Sequence, residues 1–288
     1  MTGPVTITLD YPPTARNAPR YGYDRPPHQR LAELLAAHED AYRGAVATIA
    51  RYADDLAAIA VHAEDPREPS WVNGFLPGLD GAALYAFARD RAPRRYVEVG
   101  SGNSTRFVAR GLRDGGARTE LTSIDPAPRA EIDELCDHVL RVPFEEADLG
   151  VFDTLRAGDM VFFDGSHRVF MNADTTVFFL DVLPRLPPGV LVGIHDIRLP
   201  DDYAIDFAER WYSEQYLLAC WLLGGGAGMQ VRLPAAYVTR HTRLGAPLDA
   251  LWERPGLEPV ERHGDAFWFE TGPPAQPARR GLLARLRG

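Results

Sequence analysis

Residues 95–107, Arg-Tyr-Val-Glu-Val-Gly-Ser-Gly-Asn-Ser-Thr-Arg-Phe, constrain the fold more than any other part of the chain. Tyr96, Val97 and Val99 are strand formers. Gly100 and Gly102 permit a sharp turn and let a ligand approach the backbone closely. Asn103 or Ser104 then caps a helix. On that helix Phe107, Val108, Gly111 and Leu112 share one face, a spacing suited to packing on a sheet. Its free N–H groups would face a ligand at the end of the strand. A Gly-x-Gly turn without a third glycine disfavours a dinucleotide site, which needs the full fingerprint. Glu98 lies inside the apolar strand, where an unpaired carboxylate is costly. A second strand, 119–125, ends in Asp125, at the spacing where an acid can hold ribose hydroxyls.

Strands and helices alternate regularly beyond that point. Further strands are expected over 138–142, 159–164 and 189–195, with a closing pair over 229–240 and 266–270. Helices are expected over 80–89, 171–183 and 203–222. Repeated strand–helix units imply an α/β fold with a parallel sheet covered on both faces. Ahead of the sheet, residues 28–65 contain no Pro and one Gly. Leu31, Leu35, His38, Tyr42, Ala45, Ile49, Tyr52, Leu56 and Ile59 recur by fours and threes there, the seam of one long helix. Such a helix either covers its own domain or pairs with a second subunit. Residues 1–28, with Tyr11, Tyr21 and Tyr23, form an arm, and 66–77 a loop. The Arg-rich end, 272–288, is a flexible tail or a short basic helix.

Composition removes several functions. All 31 basic residues are Arg, so no lysine can form a Schiff base. The net charge is −9 with no basic stripe, which argues against nucleic acid as partner. Cys136 and Cys220 lie far apart and read as buried, reduced thiols. The N-terminus has no apolar signal core, and no apolar run spans a bilayer, so a cytoplasmic protein without membrane contact is expected.

Two strands end in chemistry-bearing residues. The 159–164 strand runs into Asp164-Gly-Ser-His167 and the 189–195 strand into His195-Asp196. Ligands of open α/β sheets sit beyond the carboxyl ends of strands near the switch point. Adjacent strands lie about 4.8 Å apart, so these carboxylates and imidazoles can share one cation.

The segment from Glu98 through Gly100, Ser101, Gly102, Asn103 and Ser104, together with Asp125-Pro126, resembles the class I S-adenosylmethionine (SAM) methyltransferases. The resemblance covers roughly 70–271. It implies a Rossmann-like sheet of order 3-2-1-4-5-7-6 with strand seven antiparallel. It also implies a glycine loop against the methionine part of SAM and Asp125 on the ribose. Asp164-Gly-Ser-His167, followed by a helix and Pro187-Pro-Gly-Val-Leu-Val-Gly-Ile-His-Asp-Ile197, is similar to the macrocin and mycinamicin sugar O-methyltransferases and to the cephalosporin hydroxylase group. That resemblance implies Asp164 and Asp196 as ligands of Mg²⁺ or a similar divalent ion, and His167 as base. Position 195 departs from the pattern, which has an acid there. His195 is a further ligand favouring a softer metal, the base itself, or a sign that no metal is needed.

The reading that follows is a SAM-dependent O-methyltransferase acting on a small hydroxylated acceptor, such as a natural product or sugar. A metal-dependent hydrolase and a non-catalytic SAM-binding subunit are the alternatives. The expected organisation is an N-terminal arm and long helix over 1–69, a catalytic domain over 70–271, and a tail over 272–288, assembled as a homodimer or higher homo-oligomer.

Overall fold

A computed structural model describes residues 18–273, together with 6, 8 and 10. Tyr11 and nearly all of the tail lie outside the described residues.

The sheet is built by β1 (Arg95–Val99), β2 (Glu120–Ile124), β3 (His138–Leu140), β4 (Met160–Phe163), β5 (Leu191–Ile194), β6 (Gln230–Pro234) and β7 (Phe267–Glu270). Its order is β3-β2-β1-β4-β5-β7-β6. β1 pairs in parallel with β2 and β4, and β4 with β5, while β7 runs antiparallel between β5 and β6. This is the expected Rossmann-like methyltransferase sheet. Strands covered on both faces need apolar residues at every position, and β4 (Met-Val-Phe-Phe) and β5 (Leu-Val-Gly-Ile) are wholly buried. The order reverses beside β1, so the crevice opens where β1 and β4 end.

Helix α4 (Gly78–Arg91) leads into β1, and α5 (Asn103–Gly115) leaves it. The two helices approach closely because Gly111 has no side chain: a Cβ there would overlap the carbonyl of Tyr85.

The region 28–65 is not one helix. It divides into α1 (Gln29–Ala36), α2 (Glu39–Ala50) and α3 (Ala53–Ala57), with non-helical backbone at His38 and Tyr52. A single helix of that length would run about 55 Å and overrun a domain of this size. The breaks turn each segment back onto the protein. Leu31, Leu35, Tyr42, Val46, Ile49, Leu56 and Ile59 are all buried in the same core as the sheet residues. The seam residues are therefore packed into the chain's own core. His38 sits at a break, exposed, and outside the seam.

Three other elements differ from expectation. The helix expected over 171–183 begins at Asp174: α6 (Asp174–Val177) continues as a π turn, Phe178–Val182, and ends at Pro184. The helix expected over 203–222 is two, α7 (Ile205–Glu209) and α8 (Glu214–Leu223), separated by Trp211 in a left-handed conformation. The strand expected over 229–240 ends at Pro234, which has no N–H to donate, and continues as α9 (Ala235–Arg240). Both cysteines are free, but Cys220 is exposed and Cys136 half-buried. Among the described residues no helix is long and apolar enough to cross a membrane.

The described part of the N-terminal arm is strapped beside the crevice. The Asp202 carboxylate accepts from the backbone N–H of Arg20 at 2.6 Å, and His28 N–H donates to the Pro200 carbonyl at 3.0 Å.

Candidate active site

The glycine loop is fixed from both sides. Gly100 adopts φ +76° and donates its N–H to the Ile124 carbonyl at 3.0 Å. Ser101 N–H donates to the Asp125 carboxylate at 2.8 Å, and the Ser101 hydroxyl meets that of Ser123 at 2.8 Å. Neither Asn103 nor Ser104 caps α5. Thr105 reaches back instead, and its hydroxyl accepts the Gly102 N–H at 3.1 Å.

Glu98 explains how that hydroxyl is held. The Thr105 hydroxyl donates to one Glu98 oxygen, and Tyr96 donates to the other at 2.9 Å. Glu98 is fully buried and lies outside the lining of the cleft above the loop, where it anchors the loop from beneath. Alternation along β1 puts Tyr96 and Glu98 on one face, a signal present in the sequence.

Burial pushes the Glu98 carboxyl up to about 7, against the pull of hydrogen bonds from Thr105, Ser104 and Tyr96. A raised folded value means that the protonated form favours folding. That contribution is complete below the unfolded value of 4.5 and is lost as pH rises through about 7. Across the window it amounts to about 3 kcal/mol. Glu98→Gln should therefore lower the dependence of Tm on pH between about 5 and 8, read by calorimetry. An unchanged slope would mean that Glu98 is ionised throughout.

Above the loop lies a cleft of about 400 Å³ lined by Gly100, Ser101, Gly102, Asn103, Ser104, Asp125, Pro126 and Phe144. Every predicted loop residue except Glu98 is present there. Asp125 is also tied down by the Ala127 N–H at 2.7 Å. A second cleft of about 360 Å³ holds His195, Asp196, Arg198, Phe207, Tyr212 and Asp265.

Asp164, His167, His195 and Asp196 form one cluster. His167 Nε2 lies 3.2 Å from Asp164 Oδ1 and 3.4 Å from Asp196 Oδ2, while His195 Nδ1 lies 3.4 Å from Asp164 Oδ1. His167 and Asp196 both adopt positive φ, a cost concentrated at the ends of two strands.

Two buried carboxylates behind the imidazoles were not legible in the sequence. Glu214 Oε2, on the first turn of α8, meets His167 Nδ1 at 2.9 Å. Asp80 Oδ2, on α4, lies 3.3 Å from His195 Nε2, but off-line, so it is an ionic contact and not a hydrogen bond. Asp80 also accepts the N–H groups of Asp265 and Ala266. The break between α7 and α8 makes the Glu214 contact: the His167 carbonyl accepts N–H groups from Ser213 and Glu214, seating the start of α8 under the imidazole.

Burial opposes charge on Asp164, His167 and His195. At Asp164 the two imidazoles outweigh it and hold the carboxyl below its usual range. Burial would lower both histidines, but Asp164 and Glu214 hold His167, and Asp164 and Asp196 hold His195, well above the ordinary value.

Donor atoms of Asp164, His195 and Asp196 all lie within 4.8 Å of one another. Two carboxylates, one imidazole and a second imidazole opposite fit a hard or borderline divalent ion. With Asp80 behind Nε2, His195 turns Nδ1 toward Asp164 and Asp196, at 3.4 and 3.9 Å.

Residues 97–197, from β1 to just past β5, match a family model described as a methyltransferase domain. That span contains the glycine loop, Asp125 and the whole Asp/His cluster. Among solved structures, the chain is similar to the SAH-bound Podospora anserina methyltransferase PaMTH1, at 17% identity and TM-score 0.38, covering 73% of this chain and 93% of that one. It is also similar to the plantazolicin methyltransferase BpumL in complex with SAH, at 10% identity and TM-score 0.42, covering 83% and 99%. No curated protein matches the sequence.

Proposed function

We propose that the protein is a SAM-dependent O-methyltransferase, divalent-metal-assisted, acting on a hydroxyl of a small polar acceptor. The observation that carries the reading is the meeting of the two clefts at Asp164 and His167. One cleft has the glycine loop and Asp125 for SAM, and the other has polar walls for an acceptor. The methyl group would cross where they join.

In this reading Gly100, Ser101, Gly102, Asn103 and Ser104 border the methionine part of SAM, and Asp125 the ribose. The acceptor oxygen forms a bond to the methyl carbon as the carbon–sulfur bond breaks. The sulfur keeps that electron pair, leaving S-adenosylhomocysteine, and the hydroxyl proton passes to His167 in its neutral form, which a cation held by Asp164 and Asp196 would favour by taking up the carboxylate charge that otherwise keeps the imidazole protonated. His167 is favoured over His195 as base because it lines both clefts, whereas His195 lines only the acceptor side. Glu214 at Nδ1 turns Nε2 toward the reacting groups. Asp164, His195 and Asp196 would hold the cation, which supplies Lewis-acid stabilisation of the developing oxygen charge. Alignment is worth about 7–11 kcal/mol in such transfers, and a positioned base about 10²- to 10⁴-fold.

Calorimetric titration with SAM, with and without Mg²⁺ or Mn²⁺, tests the reading. SAM binding that NAD does not compete with is expected. Tight NAD binding with no response to SAM would overturn it.

A further inference from the structure

Among the described residues, four line both clefts: Phe75, Arg129, Asp164 and His167. Asp164 and His167 belong to the cluster already described, while Phe75 and Arg129 have no role in it. Phe75 is 58% exposed, unusual for a phenylalanine that ordinary packing could have covered.

The loop that carries Phe75 is built to present it. The Asn73 side-chain oxygen accepts the N–H groups of Phe75 at 3.0 Å and Leu76 at 2.8 Å, and its amide donates to the Ser70 carbonyl at 3.0 Å. Gly74 supplies the positive φ that the turn needs. Leu76 on the same loop enters the core, and Phe75 is left outside it. An exposed aromatic ring on a loop fixed by side-chain hydrogen bonds is a contact surface.

The ring already has a cation against it. The Arg129 guanidinium lies 4.7 Å from the Phe75 centroid, and among the described residues Arg129 has no carboxylate within ion-pair distance. Methyl transfer requires a second cation at this place, because the SAM sulfonium must stand where the two clefts join. Aromatic faces attract such cations. Among the described residues, Phe75 is the only Phe, Tyr or Trp that lines both clefts.

We propose that Phe75 is a specificity-determining residue of the cofactor site, its ring contacting the sulfonium and favouring SAM over the neutral thioether product. This rests on the reading of the cleft as a SAM site. The consequence is functional: product that has lost its charge loses this contact and leaves more readily.

Calorimetric affinities of the full chain for SAM and for S-adenosylhomocysteine test it, with Tm measured alongside. Phe75→Leu keeps apolar bulk and removes the π face. It should weaken SAM about three- to thirtyfold and S-adenosylhomocysteine by less than about threefold, with Tm unchanged because the side chain is outside the core. Phe75→Tyr, which keeps the ring, should restore the preference. Equal weakening of both ligands, or none, in Phe75→Leu overturns the inference while the cofactor reading stands. Wild-type protein that binds neither ligand overturns both.

Discussion

Gly100→Ala is expected to abolish SAM binding and to lower stability by about 4 kcal/mol or more, the range reserved for backbone strain combined with steric overlap. Gly100 holds φ +76°, where an L side chain is strained. A Cβ there would overlap the carbonyl oxygen of Asp164 and stand 2.7 Å from its carbonyl carbon. Neither backbone segment can yield cheaply. Gly100 N–H is bonded to Ile124 on β2, and Asp164 N–H to Val99 on β1 at 2.8 Å. Making room would part β1 from β4 at the point where the two clefts meet. Gly102→Ala is the control. A Cβ at 102 meets nothing within 4 Å, because it projects into the cleft. That variant should keep its Tm and lose SAM affinity alone. Thermal unfolding and SAM titration of both variants separate the effects. Wild-type Tm and affinity in Gly100→Ala would mean that the loop does not close on Asp164.

The sheet and its crevice were legible because they rest on local signals. Buried strands are continuous apolar runs, the glycine turn has a fixed chemistry, and each strand end declares itself by Asp125, Asp164 or His195-Asp196. Periodicity could not show the breaks at His38 and Tyr52. Three short helices and one long one bury the same positions, and only tertiary packing decides between them. The break before α8 has the same character, and it matters more. Glu214 is 47 residues from His167, and nothing in either segment specifies the pairing. Asp80 reads as an ordinary acid in the first turn of a helix until β7 and His195 pack on it. Glu98 was legible as an anomaly but not in its role. Its partner Thr105 lies across the glycine turn, and only the folded turn brings the hydroxyl under the strand.

Asp196→Asn is expected to weaken divalent-metal binding by about a hundredfold or more, exceeding the loss typical of an outer-shell partner, while SAM affinity stays within a few-fold. The choice of residue and of substitution both follow from the geometry. Asp164 lines both clefts, so its removal disturbs SAM and metal together. Asp196 lines only the acceptor side, with donor atoms close to those of Asp164 and His195. It adopts φ +54°, which Asn tolerates and Ala does not, so the amide removes the charge without adding backbone strain. Titration with Mn²⁺, followed by SAM in the presence and absence of the ion, reads both effects. Unchanged Mn²⁺ affinity in Asp196→Asn would remove this carboxylate from the metal site. Wild-type protein that takes up no divalent ion would leave the four side chains as a charge-paired cluster. Proton removal would then rest on His167 and Glu214 alone, with SAM bound on the glycine loop as before.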